Sequence, residues 1–277
     1  MQIKLTQIVA AIALAGSATL ALAQERPADI VSPITDKALP TKASAADARK
    51  AGRAAYEKPT PENSIMLFID HQVGLMASVR DFAQASGYKA NVVSLAQMAK
   101  ALKIPVLLSS SNAQWQNGDL LPELKETFKD QPIYRRTGII NAYEDPTFRK
   151  ALEDLVAKTG RRHIIISGVT LGTCVALPTL AMVNDGYVVH PVVDASGAWS
   201  KYEAEAAMQR MSAAGAQLNT VYALGAELQA DWKLPSANDM LPPFINGLPE
   251  YGWIVQQFWN NADPAKRPVK DPFGLVK

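Results

Sequence analysis

Cysteine and histidine are scarce in this chain, whose 277 residues include one Cys and three His. A lone cysteine cannot form an intramolecular disulfide or supply the several thiolates of a zinc or iron–sulfur site. An excess of charge of one sign is also missing, because 28 Lys+Arg against 26 Asp+Glu leave a net charge of +2. Neither G-x-x-x-x-G-K nor G-x-G-x-x-G occurs, so no phosphate-binding loop is indicated. We expect no metal, no cofactor and no nucleic-acid partner.

The N-terminus has the pattern of a secretory signal peptide over residues 1–23. Lys4 precedes an apolar run over 8–22, and the run ends at Ala21-Leu22-Ala23, a small-x-small site of the kind that signal peptidase cleaves. We expect cleavage after Ala23 and export of a protein with no membrane segment, most naturally to a bacterial periplasm. The alternative is an uncleaved N-terminal anchor.

Residues 24–61 show no hydrophobic period and contain five prolines. This composition is typical of an arm or linker. Two interpretations remain open: a loosely attached leader, or an arm that wraps a neighbouring subunit.

Apolar segments of two kinds alternate between residues 62 and 233. Short continuous apolar runs predict buried parallel strands, and longer segments with apolar residues at helical spacing predict helices. The predicted strands are 64–70, 104–109, 133–134, 163–167, 187–193 and 217–221, and the predicted helices are 89–102, 122–128, 146–159, 175–184, 202–214 and 223–232. Strands separated by single helices form βαβ units, so we expect one α/β domain with a roughly six-stranded parallel sheet.

Residues 234–277 interrupt this alternation. They hold seven prolines and the aromatic residues Phe244, Tyr251, Trp253, Phe258, Trp259 and Phe273. A disordered segment rarely contains so many aromatic residues. We expect an ordered C-terminal extension that packs on the core or on a neighbouring subunit.

Polar residues at the carboxyl ends of the strands are the candidates for chemistry, because ligands of open parallel sheets bind there. Cys174 lies at the predicted start of a helix, six residues after Gly168. The free N–H groups of a helix N-terminus lower the pKa of a thiol and can stabilise an oxyanion. We therefore expect Cys174 to be an activated nucleophile; the alternative is a small buried apolar residue.

Two charged residues could assist this thiol. Asp70 ends the first predicted strand, where it could act as a general base or cap a neighbouring loop. Asp194 ends a later strand and has the same two interpretations. Arg136 follows the short strand 133–134 and would stabilise an ionised carboxylate and thiolate by its permanent charge. Its neighbour Arg135 fits the spacing equally well.

The chain from about residue 63 to 232 resembles the isochorismatase-like cysteine hydrolases, and in particular their YcaC-like branch. The resemblance is carried by segments 68–75 (FIDHQVGL), 136–145 (RTGIINAYED), 168–178 (GVTLGTCVALP), 193–197 (VDASG), 210–217 (RMSAAGAQ) and 227–232 (ELQADW). It implies a Rossmann-like three-layer sandwich and a catalytic triad of Asp, Lys and Cys. Asp70 and Cys174 match two members, and the Lys position is occupied by Arg136, as in the YcaC-like branch.

The resemblance also implies the surroundings of the triad. A cis peptide at Val169–Thr170 would shape an oxyanion hole whose donors are the backbone N–H groups of Thr170 and Cys174. The metal-binding D-x-H of nicotinamidases is replaced by residues 109–112 (SSSN), so no metal is expected. Relatives of this branch form large homo-oligomers. Trp115, Asn141 and Tyr143 are candidates for the substrate pocket, and each could equally be a packing residue.

These inferences predict a cysteine hydrolase that cleaves a C–N bond other than a peptide bond, in a small amide or a related acyl or nitrile compound, through a covalent thioester. Two other classes remain possible: a thiol redox sensor, and a non-catalytic oligomeric binding protein on the same scaffold. Vinyl ether hydrolysis of the isochorismatase type is disfavoured, because in relatives that chemistry uses no cysteine nucleophile.

Overall fold

The computed structural model describes residues 28–31, 57–80, 87–263 and 265. The predicted signal peptide lies outside the described residues, as do most of the predicted arm and the end of the C-terminal extension. Within the described ranges, no helix is both long enough and apolar enough to cross a membrane.

A parallel β-sheet lies at the centre of the molecule. Its strands are β1 (Ile30–Val31), β2 (Ser64–Ile69), β3 (Val106–Ser111), β4 (Ile133–Arg136), β5 (His163–Gly168) and β6 (Val188–Pro191). They lie in the order β1-β4-β3-β2-β5-β6, and every pairing is parallel. β2 is central and buried along its whole length, as expected for an apolar strand that is covered on both faces.

Helices cover both faces of the sheet. They are α1 (Val73–Met76), α2 (Tyr88–Ala101), α3 (Pro122–Thr127), α4 (Pro146–Thr159), α5 (Ala176–Asn184), α6 (Lys201–Ala214), α7 (Val221–Gln229), α8 (Ala237–Gly247) and α9 (Pro249–Asn261). Successive side chains of β2 point to opposite faces: Met66 and Phe68 pack against α2, α7 and α8. Ile65, Leu67 and Ile69 pack with α4, α5 and α6. The predicted three-layer α/β class is therefore confirmed.

The sixth strand of the sheet differs from the prediction. Residues 217–221 form no strand, and Asn219 makes a single bridge to Val192. Thr220 instead begins α7, because its hydroxyl accepts the N–H of Ala223 at 3.4 Å. The sixth strand is β1, from the described part of the predicted arm, which pairs with β4.

Helix boundaries follow from local capping. The predicted helix 146–159 begins and ends at the same residues as α4. The Asp145 carboxylate accepts the N–H groups of Thr147 and Phe148 at 3.0 Å each, and Gly160 ends the helix with a φ of 70°. Such a left-handed C-cap favours glycine. α5 begins one residue later than predicted, because a π-helical turn, Leu171–Val175, precedes it.

The C-terminal extension folds into α8 and α9. Phe244 of α8 is fully buried, and its ring centroid lies 5.1 Å from that of Trp232 and 5.3 Å from that of Tyr251. The Ser94 hydroxyl of α2 donates to the Pro243 carbonyl at 2.8 Å. These contacts attach the two helices to the core.

Candidate active site

The candidate residues meet where the strand order reverses. The chain runs outward from β2 through β3 to β4 and then returns to place β5 on the other side of β2. This is the switch point at which open α/β sheets bind ligands, outside the carboxyl ends of the strands. Asp70 directly follows β2, Arg136 is the last residue of β4, and Cys174 lies six residues beyond β5.

Asp70 is held in an uncommon backbone conformation. Its φ is 56°, a left-handed value that aspartate adopts more readily than most residues. Its N–H donates to the Ser109 carbonyl at 3.0 Å, and its side chain is buried. The turn thus ends β2 and fixes the carboxylate inside the protein rather than at the surface.

Arg136 is the partner of this carboxylate. Its Nη2 donates to Asp70 Oδ2, its Nε donates to the Ser109 hydroxyl at 3.0 Å, and its Nη1 donates to the carbonyls of Ile139 and Ile140, the latter at 2.9 Å. The guanidinium is almost completely buried. Four partners therefore satisfy the charged group that the interior would otherwise disfavour.

The surroundings of Arg136 favour its protonated, positively charged form. Burial alone would lower the pKa of the guanidinium, but the Asp70 carboxylate and, more weakly, Cys174 and Asp145 raise that pKa above its ordinary value. Arg135 has a different role: it forms salt bridges with Asp29 at 2.6 Å and Asp119 at 3.2 Å and is part-exposed. The structure thus separates the two arginines that spacing could not distinguish.

Cys174 lies beside both charged groups, and it is 8% exposed. Burial raises the pKa of its thiol far above the ordinary value, and the Asp70 carboxylate raises it further by its charge and by a hydrogen bond. Arg136 and the Thr173 hydroxyl, 3.7 Å from Sγ, lower this pKa by smaller amounts. The expectation of a lowered pKa is therefore wrong, because burial and Asp70 together favour the neutral thiol.

The backbone around Cys174 has the predicted cis peptide between Val169 and Thr170. In the following turn, the N–H of Leu171 donates to Gly197 O at 2.7 Å, and the N–H groups of Thr173 and Val175 donate to Thr170 O at 3.2 and 3.3 Å. Gly172 N–H donates to the Glu203 carboxylate at 3.1 Å. The remaining N–H groups of this segment belong to Thr170 and Cys174, the two residues expected to form the oxyanion hole.

The three candidate pocket residues occupy different environments. Trp115 is 67% exposed on the loop after β3. The side-chain oxygen Oδ1 of Asn141 accepts the N–H of Tyr143 at 3.1 Å and so caps a short 3-10 helix. Tyr143 is buried, its hydroxyl donates to Asp185 at 2.8 Å, and its ring lies under Arg149. Tyr143 therefore belongs to the packing between α4 and α5, the alternative that the sequence left open.

A surface groove of about 700 Å³ runs along α5 from Leu177 to Asn184. Residues 138–141 and Glu144 form its other wall, so Asn141 lines it. Because Arg136 binds the carbonyls of Ile139 and Ile140, this wall is attached to the charged cluster. The sequence could not indicate the role of these main-chain carbonyls, because every residue has one whatever its side chain.

Other polar residues considered from the sequence lie outside the cluster. Asp194 accepts the N–H of Val221 at 2.8 Å and so caps α7. His71 is buried between the Tyr88 hydroxyl at 2.5 Å and the Ser167 hydroxyl at 3.0 Å, and burial lowers its pKa to about 3. In the part of the chain that the structure describes, no three His, Cys, Asp or Glu side chains converge as metal ligands would.

Comparison with known proteins identifies the family. The isochorismatase domain model matches residues 64–222. The chain belongs to the isochorismatase family. The probable hydrolase YcaC of Escherichia coli is 37% identical over 203 residues, which cover 73% of this chain and 95% of that protein. Among isochorismatase-family structures, YcaC from Pseudomonas aeruginosa with hexane-2,5-diol and covalent acrylamide is 38% identical with a TM-score of 0.69, covering 74% of this chain and 99% of that one.

A second similar structure comes from a protein that forms an octamer. The YcaC gene product of Escherichia coli, described as an octameric hydrolase of unknown specificity, is 35% identical with a TM-score of 0.70, over 76% of this chain and all of that one. The family and these relatives make this chain an isochorismatase-family hydrolase of the YcaC-like type.

Proposed function

We propose that this hydrolase cleaves a C–N bond in a small amide or a related acyl or nitrile compound, with Cys174 as nucleophile and Asp70 as general base. The observation that carries the proposal is a buried pair of Asp70 and Arg136 whose charges both act on the Cys174 thiol. An acid group next to a nucleophile and oriented by a third group is the arrangement that nucleophilic catalysis requires.

The neutral thiol sets the order of events. Asp70 takes the thiol proton as sulfur attacks the substrate carbon, so that a free thiolate need not accumulate before the reaction. With an amide substrate, the negative charge that develops on the carbonyl oxygen is stabilised by the N–H groups of Thr170 and Cys174. Asp70 then donates its proton to the leaving amine, and a thioester remains on Cys174. A water molecule, deprotonated by Asp70, hydrolyses this thioester and restores the thiol.

Arg136 stays paired with Asp70 and holds its carboxyl group in place beside the thiol. Its contacts with Ser109 and two main-chain carbonyls hold the guanidinium in one orientation, and its permanent charge favours the ionised form of any acid beside it. Arginine in place of the family's lysine therefore supplies the same charge with a more rigid set of donors.

The burial of Cys174 argues against the redox-sensor alternative. Sensor cysteines are exposed and have a low pKa, whereas this thiol is buried and its pKa is raised. Covalent acrylamide in the YcaC structure from Pseudomonas aeruginosa supports an electrophile-accepting site in the branch, because acrylamide adds to nucleophiles such as thiols.

The test is detection of an acyl-enzyme. The protein is incubated with small aliphatic and aromatic amides, the matching nitriles and hydroxylamine, and hydroxamate formation is measured together with the intact mass. We expect a hydroxamate product and a thioester adduct that are both lost in Cys174→Ser and in Asp70→Asn. Binding of the compounds with no Cys174-dependent product would contradict the hydrolase mechanism and favour the binding-protein alternative.

We also propose that the mature chain is exported and forms a homo-oligomer, on the basis of its N-terminal pattern and the octamer of its Escherichia coli relative. Fractionation of the native host and light scattering of the purified protein test these two points. A full-length cytoplasmic product would contradict the first, and a monomer at micromolar concentration would contradict the second.

A further inference from the structure

Glu203 departs from the hydrogen bonding that its local sequence predicts. It is the third residue of α6, and Ser200 is the N-cap, so the pair forms the S-x-x-E pattern of a capping box. The Ser200 hydroxyl accepts the N–H of Glu203 at 3.2 Å, as the motif requires. The Glu203 carboxylate, however, accepts the N–H of Trp199 at 2.8 Å and that of Gly172 at 3.1 Å.

Gly172 lies between the two proposed oxyanion donors, two residues from Thr170 and two from Cys174. A Cβ at Gly172 would lie 2.8 Å from Cγ of Glu203, so any side chain here would displace the Glu203 side chain from its present position. Because N–H groups in a tight turn share one backbone path, fixing the Gly172 N–H constrains the directions of its neighbours.

The second oxygen of Glu203 extends this restraint to the loop that follows Asp70. This oxygen accepts the main-chain N–H of Trp199. The indole N–H of Trp199 in turn donates to the carbonyl of Leu75 in α1 at 3.0 Å. One carboxylate on α6 therefore attaches the turn that carries the nucleophile to the segment that follows the base.

We propose that Glu203 is a positioning residue of the oxyanion hole: its carboxylate holds Gly172 so that the N–H groups of Thr170 and Cys174 converge on the oxygen of the bound substrate. This inference rests on the proposed cysteine chemistry. It assigns a role to a residue that contacts no reacting atom, and the role is distinct from simple stabilisation of the fold.

Two reactions of the same sulfur distinguish these roles. A small aldehyde adds reversibly: the S–C bond forms, the C=O π bond breaks, and the thiol proton passes to the oxygen, which occupies the oxyanion hole. Iodoacetamide alkylates sulfur: the S–C bond forms, the C–I bond breaks and the thiol proton is lost to solvent. The negative charge therefore develops on the leaving iodide and not on an oxygen in the hole. Only the first reaction depends on correctly directed N–H groups.

The experiment measures the dissociation constants of acetaldehyde, propionaldehyde and benzaldehyde by the protection that each gives against iodoacetamide. We expect Glu203→Gln and Gly172→Ala to weaken the aldehyde adduct about ten- to a hundredfold, as small misplacements of catalytic groups do. Alkylation rates without aldehyde and melting temperatures should change little. Glu205→Gln is the matched control, because it removes the same charge from an exposed position of the same helix.

Each outcome decides between the proposals. An unchanged aldehyde constant in both variants would overturn the role of Glu203 and leave the cysteine mechanism intact. Equal losses in adduct affinity and in alkylation rate would assign Glu203 to general stability and also overturn its positioning role. If none of the aldehydes forms an adduct in the unmodified protein, the oxyanion hole itself is absent, and both proposals fail.

Discussion

Replacing Asp70 with asparagine should make Cys174 more acidic while abolishing catalysis. The substitution keeps the size of the side chain and removes the negative charge beside the thiol. Both contributions of Asp70 raise the pKa of Cys174, and Arg136 lowers it. In Asp70→Asn the guanidinium would therefore act on the thiolate without an opposing carboxylate, while the base that takes the thiol proton would be gone.

The size of the effect follows from the electrostatics of the pair. Two unit charges about 4 Å apart at an effective dielectric constant of about 20 interact by about 4 kcal/mol, which corresponds to about 3 pKa units. Burial still raises the pKa of Cys174 in the variant, since the surrounding residues are unchanged. We expect the pKa to fall by about 2 to 3 units, which at pH 8 increases the thiolate fraction, and hence the alkylation rate, by up to about a thousandfold.

The assay is iodoacetamide alkylation from pH 6 to 11, followed by intact mass spectrometry. Cys174 is the sole cysteine in the chain, so every labelling event with thiol chemistry reports this one sulfur. Asp154→Asn is the control, because that carboxylate is exposed on α4 and pairs with Lys150 at 2.7 Å. An alkylation pKa that is unchanged or higher in Asp70→Asn would refute the assignment of the raised pKa to this carboxylate.

Three further predictions concern stability, each measured by urea unfolding. Arg136→Met should lower the free energy of unfolding by about 3–5 kcal/mol, because it leaves a buried carboxylate without its partner; a loss below about 1 kcal/mol would contradict this. His71 and His190 are buried and have their pKa lowered to about 3, so as the pH falls below about 6.5 the unfolded chain takes up protons that the folded chain does not. Each histidine should then reduce the unfolding free energy by about 2–3 kcal/mol at pH 4.5, and a flat profile between pH 7 and 4.5 would count against it. Gly168→Ala should cost about 1–3 kcal/mol, because the added Cβ would lie 2.5 Å from the carbonyl oxygen of Ile69; an unchanged midpoint would show that the backbone moves freely there.

The fold was predictable where one physical pattern dominates a segment. The continuous apolar runs of β2 and β5 can only be buried, and α4 has an Asp at one end and a Gly at the other that define its limits. β1 was not predictable, because two residues in a segment without periodicity carry no strand signal. Residues 217–221 were predicted as a strand for a different reason: their β-propensity is high, but the hydroxyl of Thr220 caps α7 and ends any strand there.

The grouping of the candidate residues in space was more predictable than their electrostatics. Strand ends indicated Asp70 and Cys174, and the family resemblance indicated Arg136 and the cis peptide. The raised pKa of Cys174 was not predictable from a helix N-terminus, because burial and the adjacent Asp70 raise it. Glu203 gave a capping-box signal that explains its place on α6 but says nothing of its contact with Gly172.

The pairing of β1 with β4 has a consequence for how the chain can be shortened. β1 occupies the outer edge of β4, the strand that ends in Arg136. A truncation past Val31 would leave the main-chain N–H and carbonyl groups of that edge open to another copy of the chain. We therefore expect a protein that lacks this N-terminal segment to aggregate when it is concentrated. The molecules that stay in solution should still react at Cys174.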